Sequence, residues 1–226
     1  MTSRWACFGL WGPRAREILA PLTPDPLDFS YMSMREIAVG DVPVRALRVT
    51  FVGEHGWELY CPSEYGAGLW RTLWEAGAPH GLRAAGYRAI DSLRLEKGYR
   101  VWAADITPAE TPLEAGLGFC VARDKKFLGR EALDAPPRAR LRCLVLDEPR
   151  AVAVGNEPVR VDDGVVGRVT SGGYGYTVGR SIAYAYLPPE VELDTRVEVG
   201  VFGAWVAGTV TREPLYDPRS ERVRDG

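Results

Sequence analysis

From Leu141 onward the sequence offers one kind of element only. Short apolar runs at 141–146, 159–161, 165–170, 181–186, 197–201 and 205–211 follow one another with glycine and proline turns between them. That is the pattern of a small antiparallel β-barrel. Before residue 135 the text is mixed, with strand-like alternation beside apolar stripes at helical spacing, and Ala135-Pro136-Pro137 reads as a linker. The expected fold class is therefore α+β, with a body over 1–135 and a β-barrel domain over 136–226.

Within the body, residues 5–10 read as a buried strand that starts almost at Met1. Gly12-Pro13 opens a helix whose apolar face is Ile18, Leu19 and Leu22. Residues 35–61 read as β: one strand to Val39, a Gly40-Asp41 turn, then Val42, Val44 and Ala46 alternating with their neighbours. Leu47, Val49 and Phe51 continue on the opposite phase, which predicts a bulge or bend near residues 46–47. Gly53-Glu54-His55-Gly56 makes the next turn, and Trp57, Leu59 and Cys61 return as the paired strand. Helices are expected at 64–76 and 84–99, a short strand at 119–122 and a short helix at 128–133. Trp70, Trp74 and Trp102 are expected in the core, and His55 and His80 on the surface. Tyr174 and Tyr176 are expected at the rim of a glycine-rich turn.

Composition narrows the function. A formal net charge of −2 over 226 residues gives no electrostatic footprint for nucleic acid or an anionic membrane. No apolar stretch reaches the length of a membrane span and the first residues do not read as a signal peptide, so the expected location is cytoplasmic. Cys7, Cys61, Cys120 and Cys143 lie far apart without CxxC spacing, and neither a disulfide framework nor a metal site is read from them. Cys61 and Cys120 sit in apolar runs and are expected as buried thiols.

Three stretches resemble the aminomethyltransferase (glycine-cleavage T-protein) family. Phe51-Val52-Gly53-Glu54-His55-Gly56-Trp57-Glu58 is similar to its GExG hairpin. Asp91-Ser92-Leu93-Arg94-Leu95-Glu96-Lys97-Gly98 with Asp105-Ile106-Thr107-Pro108 forms the second stretch. Gly167-Arg168-Val169-Thr170-Ser171-Gly172-Gly173-Tyr174 forms the third. The wording is most similar to the folate-binding region of dimethylglycine and sarcosine dehydrogenases. The resemblance implies a partial aminomethyltransferase-like folate-binding body followed by the barrel, and tetrahydrofolate as cofactor. It also implies that the family's catalytic aspartate belongs to an N-terminal third preceding this sequence, so that no catalytic residue is assigned here.

The resemblance implies three cofactor-binding residues. Glu58 would accept hydrogen bonds from the pterin's amino and ring N–H groups; otherwise it is a solvent-facing strand glutamate. Phe51 would offer an aromatic face where this branch tends to have tyrosine; otherwise it is a core phenylalanine. Arg88, like Arg94, would meet the folate's glutamate tail, or pair on the surface with acids such as Asp91 and Glu96. The expected function is a tetrahydrofolate-dependent one-carbon (aminomethyl or methyl) transfer module acting on a small methylated amine. It would belong to a demethylating dimethylglycine/sarcosine-type oxidoreductase or be completed by a flavin-dependent subunit or an N-terminal partner chain. The alternative is a non-catalytic folate- or small-molecule-binding assembly domain. A relative of the tRNA-modifying or iron–sulfur-assembly type would need a KGCYxGQE-like signature, which the sequence lacks.

Overall fold

The computed structural model describes residues 3–122 and 124–224. Two compact units emerge, Met1–Ile90 with Asp217–Gly226, and Asp91–Tyr216.

In the first unit, β1 (Trp5–Trp11) leads into the short helix α1 (Ala15–Leu19), and β2 (Met34–Val39) and β3 (Val42–Leu47) form a hairpin. Its two-residue turn works because Gly40 takes a φ of 56°, which a side chain would disfavour. β4 (Gly56–Pro62) inserts between β1 and β3, giving an antiparallel sheet in the order β1-β4-β3-β2. Side chains alternate in period two, so Leu10, Val42, Val44, Ala46, Trp57, Leu59 and Cys61 share one buried face. Helix α2 (Gly66–Gly77) places Leu69 and Leu73 in the same core, and Trp70 and Trp74 stack on each other 5.9 Å apart, both exposed. The expectation of Trp70, Trp74 and Trp102 in the core is thus corrected, since Trp102 is 64% exposed. On α2 the reason is angular: the buried stripe is filled by Leu69 and Leu73, and residues one position on point away from it.

The expected continuation of the strand through Phe51 is also corrected. β3 stops at Leu47, where Val49 N–H bonds back to the Leu47 carbonyl in a three-residue turn. Thr50 Oγ1 then accepts from the Val52 and Gly53 amides and coils the chain away from the ladder.

Helix α3 (Tyr87–Lys97), shorter than expected, begins in the first unit and continues in the second. The second unit contains β5 (Arg140–Leu146), β6 (Pro158–Val161), β7 (Gly164–Gly175), β8 (Arg180–Leu187), β9 (Arg196–Val201) and β10 (Ala204–Thr211). They close a barrel in the order β10-β5-β8-β7-β6-β9, as the pattern of short runs predicts. Strand β8 shows how the barrel is filled. Ala183, Ala185 and Leu187 point inward, while Ile182 and Tyr184 pack outside against Leu95 of α3.

Residues 172–175 are not a turn but the end of β7, because a Cβ at Gly172 would lie 2.4 Å from the Ala153 carbonyl oxygen. Glycine here serves close backbone approach. Tyr174 therefore sits on a strand, with Tyr176 edge-on to it. The expected strand at 119–122 is a 3-10 turn over Gly118–Cys120, and Cys120 is exposed, whereas Cys61 is buried as expected. The last described element is α4 (Glu221–Arg224), which belongs to the first unit. Among the described residues no helix is long and apolar enough to cross a membrane.

Candidate functional site

The sheet of the first unit has a second face, opposite the core. Because Trp57, Leu59 and Cys61 fill the core, Glu58 and Tyr60 must point the other way, and both are half-buried. Glu58 stands between Gly9 on β1 and Leu47 on β3, so it occupies the middle of the sheet. Tyr60 stands between Cys7 and Arg45. Arg45 is held away by Glu36 at 3.1 Å and by the Trp5 ring at 4.9 Å.

The Tyr60 hydroxyl donates to Glu58 Oε2 at 2.6 Å. Burial, with the hydrogen bond to Glu58, raises the Tyr60 pKa far above that of a free phenol. Burial likewise raises that of the Cys7 thiol. Both neighbours stay protonated at neutral pH, and one carboxylate oxygen, Glu58 Oε1, faces no other donor among the described residues. Such a group suits paired N–H donors.

The other expected site residues are placed less closely. Phe51 is half-buried in the loop after β3. Arg88 is exposed in the first turn of α3 and makes no ion pair among the described residues. Trp11, on the same sheet face as Glu58, was not singled out by sequence; its signal was the two-residue spacing from Gly9 on a strand beside β4.

His55 corrects the expectation of a surface residue. It is 4% exposed and lies edge-on to Trp57, ring centroids 4.8 Å apart. Neither ring nitrogen has a hydrogen-bond partner among the described residues. Burial, then the nearby Arg48 and Arg16 charges, pushes its pKa down to about 4. Arg48 is itself buried, its Nη1 donating to the Val223 carbonyl at 3.3 Å. A cleft of about 390 Å³ adjoins His55, lined by Pro13, Arg16, Glu17, Ala20, Glu54 and Arg222, and it does not include Glu58.

Two family models match this chain: the GCVT N-terminal domain over residues 1–125, and the glycine cleavage T-protein C-terminal barrel domain over residues 140–217. The chain belongs to the glycine cleavage T-protein family. Curated relatives include the 4-methylaminobutanoate oxidase (formaldehyde-forming) of Paenarthrobacter nicotinovorans, 40% identical over 99% of this chain and 28% of its own length. Human mitochondrial sarcosine dehydrogenase is 41% identical over 96% of this chain and 25% of its own length. The aminomethyltransferase of Symbiobacterium thermophilum is 36% identical over 93% of this chain and 59% of its own. The crystal structure of glycine cleavage system aminomethyltransferase T from Bartonella henselae superposes with a TM-score of 0.85 at 26% identity, over 95% of this chain and 60% of that one. The chain thus spans about a quarter of the length of its dehydrogenase-type relatives.

In the T-protein-like motif of α3, Arg94 pairs with Asp91 at 3.6 Å as expected, but its main partners are buried. Arg94, 4% exposed, donates to Asp105 Oδ2 at 2.7 Å, and Val101 N–H donates to the same oxygen at 3.0 Å. Asp105 Oδ1 accepts from the Thr170 and Ser171 hydroxyls. Glu96, fully buried, accepts from the Thr177 amide at 2.6 Å. These groups bind α3 to β7 of the T-protein barrel. A second cleft of the barrel unit, about 280 Å³, is bordered by Thr107, Glu110, Asn156 and Arg168. Among the described residues no cluster of His, Cys, Asp or Glu is placed to hold a metal ion.

Proposed function

We propose that this chain is a tetrahydrofolate-binding module for one-carbon transfer, serving the demethylation of a small methylated amine. The reading rests on one observation: Glu58 stands mid-sheet on the face away from the core, with Tyr60 occupying one carboxylate oxygen and leaving the other to a ligand. The pterin of a reduced folate presents N–H donors side by side, and a carboxylate in a partly dry site accepts from them with charge assistance. Residues present therefore fit the group. Phe51, in the loop after β3, and Arg88, on α3, are assigned to the same ligand as aromatic wall and as partner of the folate's carboxylates.

The family resemblance and the relatives named for sarcosine, dimethylglycine and 4-methylaminobutanoate support an N-methyl amine as the source of the carbon unit. Oxidation of such an amine gives an iminium, and a folate nitrogen captures its methylene carbon. That oxidation is assigned to a flavin-dependent part outside this sequence, in the same polypeptide or in a partner chain.

The test is calorimetric titration of tetrahydrofolate into the wild type and Glu58→Gln. Glutamine still accepts from Tyr60, so the sheet should stand, while the charge-assisted bond to the ligand is lost. Such a loss is worth roughly 1.5–3 kcal/mol, and affinity should fall about tenfold to a hundredfold. Equal affinities with an unchanged fold would remove Glu58 from the site.

A further inference from the structure

Beside Glu58 the sheet has a gap that β1 fills in an unusual way. Gly9 is the direct partner of Glu58 on β1, and it has no side chain to offer. A Cβ built there would lie 2.3, 2.4 and 2.7 Å from Cζ3, Cη2 and Cε3 of Trp11. The six-membered ring of the indole therefore lies back along its own strand, over the Gly9 backbone, at the register position paired with Glu58. Its Nε1–H donates to the Val49 carbonyl at 3.0 Å, in the loop that bears Phe51. That bond fixes the ring, because swinging away would leave a half-buried N–H without its acceptor. Trp11 is only partly buried, and among the described residues no other ring or guanidinium stacks on it.

From this we infer that Trp11 is a ligand-binding residue: its indole, seated on Gly9 and pinned by Val49, is the flat wall against which the heteroaromatic ring held by Glu58 packs. The inference rests on the folate reading above and deepens it. The planar pyrimidinone ring of a reduced pterin, giving its edge N–H groups to a carboxylate, must lay its faces against something, and stacking on an aromatic surface is favourable and tolerant of ring identity. Gly9 then has a function too, since any side chain there would push the wall off its seat. The competing account is an aromatic ring that merely covers a glycine in a strand, which stabilises a sheet without a ligand.

The two accounts separate in a double-mutant cycle read by folate affinity on the intact chain. Tetrahydrofolate is titrated into wild type, Trp11→Phe, Trp11→Ala, Gly9→Ala and the Gly9→Ala/Trp11→Ala pair, with circular dichroism and thermal melting alongside. Trp11→Ala should weaken binding about tenfold, in line with the known worth of aromatic stacking. Trp11→Phe should stay within a few-fold of wild type. Gly9→Ala should weaken binding nearly as much as Trp11→Ala, yet add nothing in the Trp11→Ala background, because its effect passes through the ring. If Trp11→Ala does not fold, Trp11→Phe and Gly9→Ala still carry the comparison. Wild-type affinity in Trp11→Ala and Gly9→Ala, with melting alone affected, overturns the inference while Glu58 keeps its role. Absence of folate binding by the wild type overturns the functional reading itself, and this inference with it.

Discussion

At the scale of single residues, His55 shows how strongly surroundings decide protonation. Its folded-state pKa of about 4 lies below the usual value near 6.5, first through burial and then through Arg48 and Arg16. An unfolded chain therefore binds a proton to this ring at pH values where the folded chain does not. The stability that follows is fully present above about pH 6.5 and is lost as pH falls toward 4. The loss should be about 3 kcal/mol. Denaturant unfolding of the wild type and His55→Phe between pH 7.5 and 4 should show the wild type losing stability relative to the variant as pH falls, and curves that stay parallel would dismiss the idea. Sequence could not reveal this, because a histidine in a glycine-flanked turn looks exposed until the loop folds over Trp57. Glu58, in contrast, was legible: alternation alone puts it opposite Trp57 and Leu59. Trp11 was not, since its meaning comes from the cross-strand pairing of Gly9 with Glu58.

At the scale of elements, the segment before the barrel is held by a carboxylate rather than by apolar packing. Glu114 is 4% exposed. Its Oε2 accepts from the amide and hydroxyl of Thr111, and its Oε1 from the Arg138 amide. Its own carbonyl accepts from Leu141 at 2.8 Å, so it ties the loop to the first strand of the barrel. Burial alone would raise its pKa, but the Thr111 and Arg138 donors outweigh burial and bring it down to about 2. A depressed carboxylate pKa stabilises the fold above the unfolded value near 4.3 and ceases to do so as pH falls through 2. Glu114→Gln should therefore cost on the order of 2–3 kcal/mol at pH 7, with the difference from wild type shrinking between pH 4.5 and 2. Urea unfolding across that range measures it, and a pH-independent gap would assign the loss to packing instead. The sequence pattern located β5, β6, β8, β9 and β10 to within a residue or two, because turn residues bound each short apolar run. It failed where backbone contacts decide: the turn at 47–49 that ends β3, and Gly172 of β7, which sits against the Ala153 carbonyl.

At the scale of the whole molecule, alternation announced a barrel but not its order. Period two tells a strand from a turn, whereas the neighbours in β10-β5-β8-β7-β6-β9 follow from which closure buries Leu144, Val169, Val199 and Val210 together. The same scale governs catalysis. One-carbon transfer needs a group that moves a proton on the departing amine while the folate nitrogen attacks, and such assistance is worth about a hundredfold to ten-thousandfold. The aspartates nearest the family motifs do not offer it. Asp105 has both oxygens saturated by Arg94, Val101, Thr170 and Ser171. Asp41 lies exposed in the β2–β3 turn, and Asp91 is a surface side chain 3.6 Å from Arg94. We therefore expect this chain, supplied with tetrahydrofolate and formaldehyde or an aminomethyl donor, to bind folate without forming methylene-folate much faster than the uncatalysed background. Asp105→Asn should then lower stability without changing that rate, since its carboxylate is already committed to holding α3 against β7. Robust turnover by the chain alone would overturn the expectation and make Glu58 the first acid to test. Turnover that appears only with an added flavin-dependent polypeptide would assign the proton carrier to that partner.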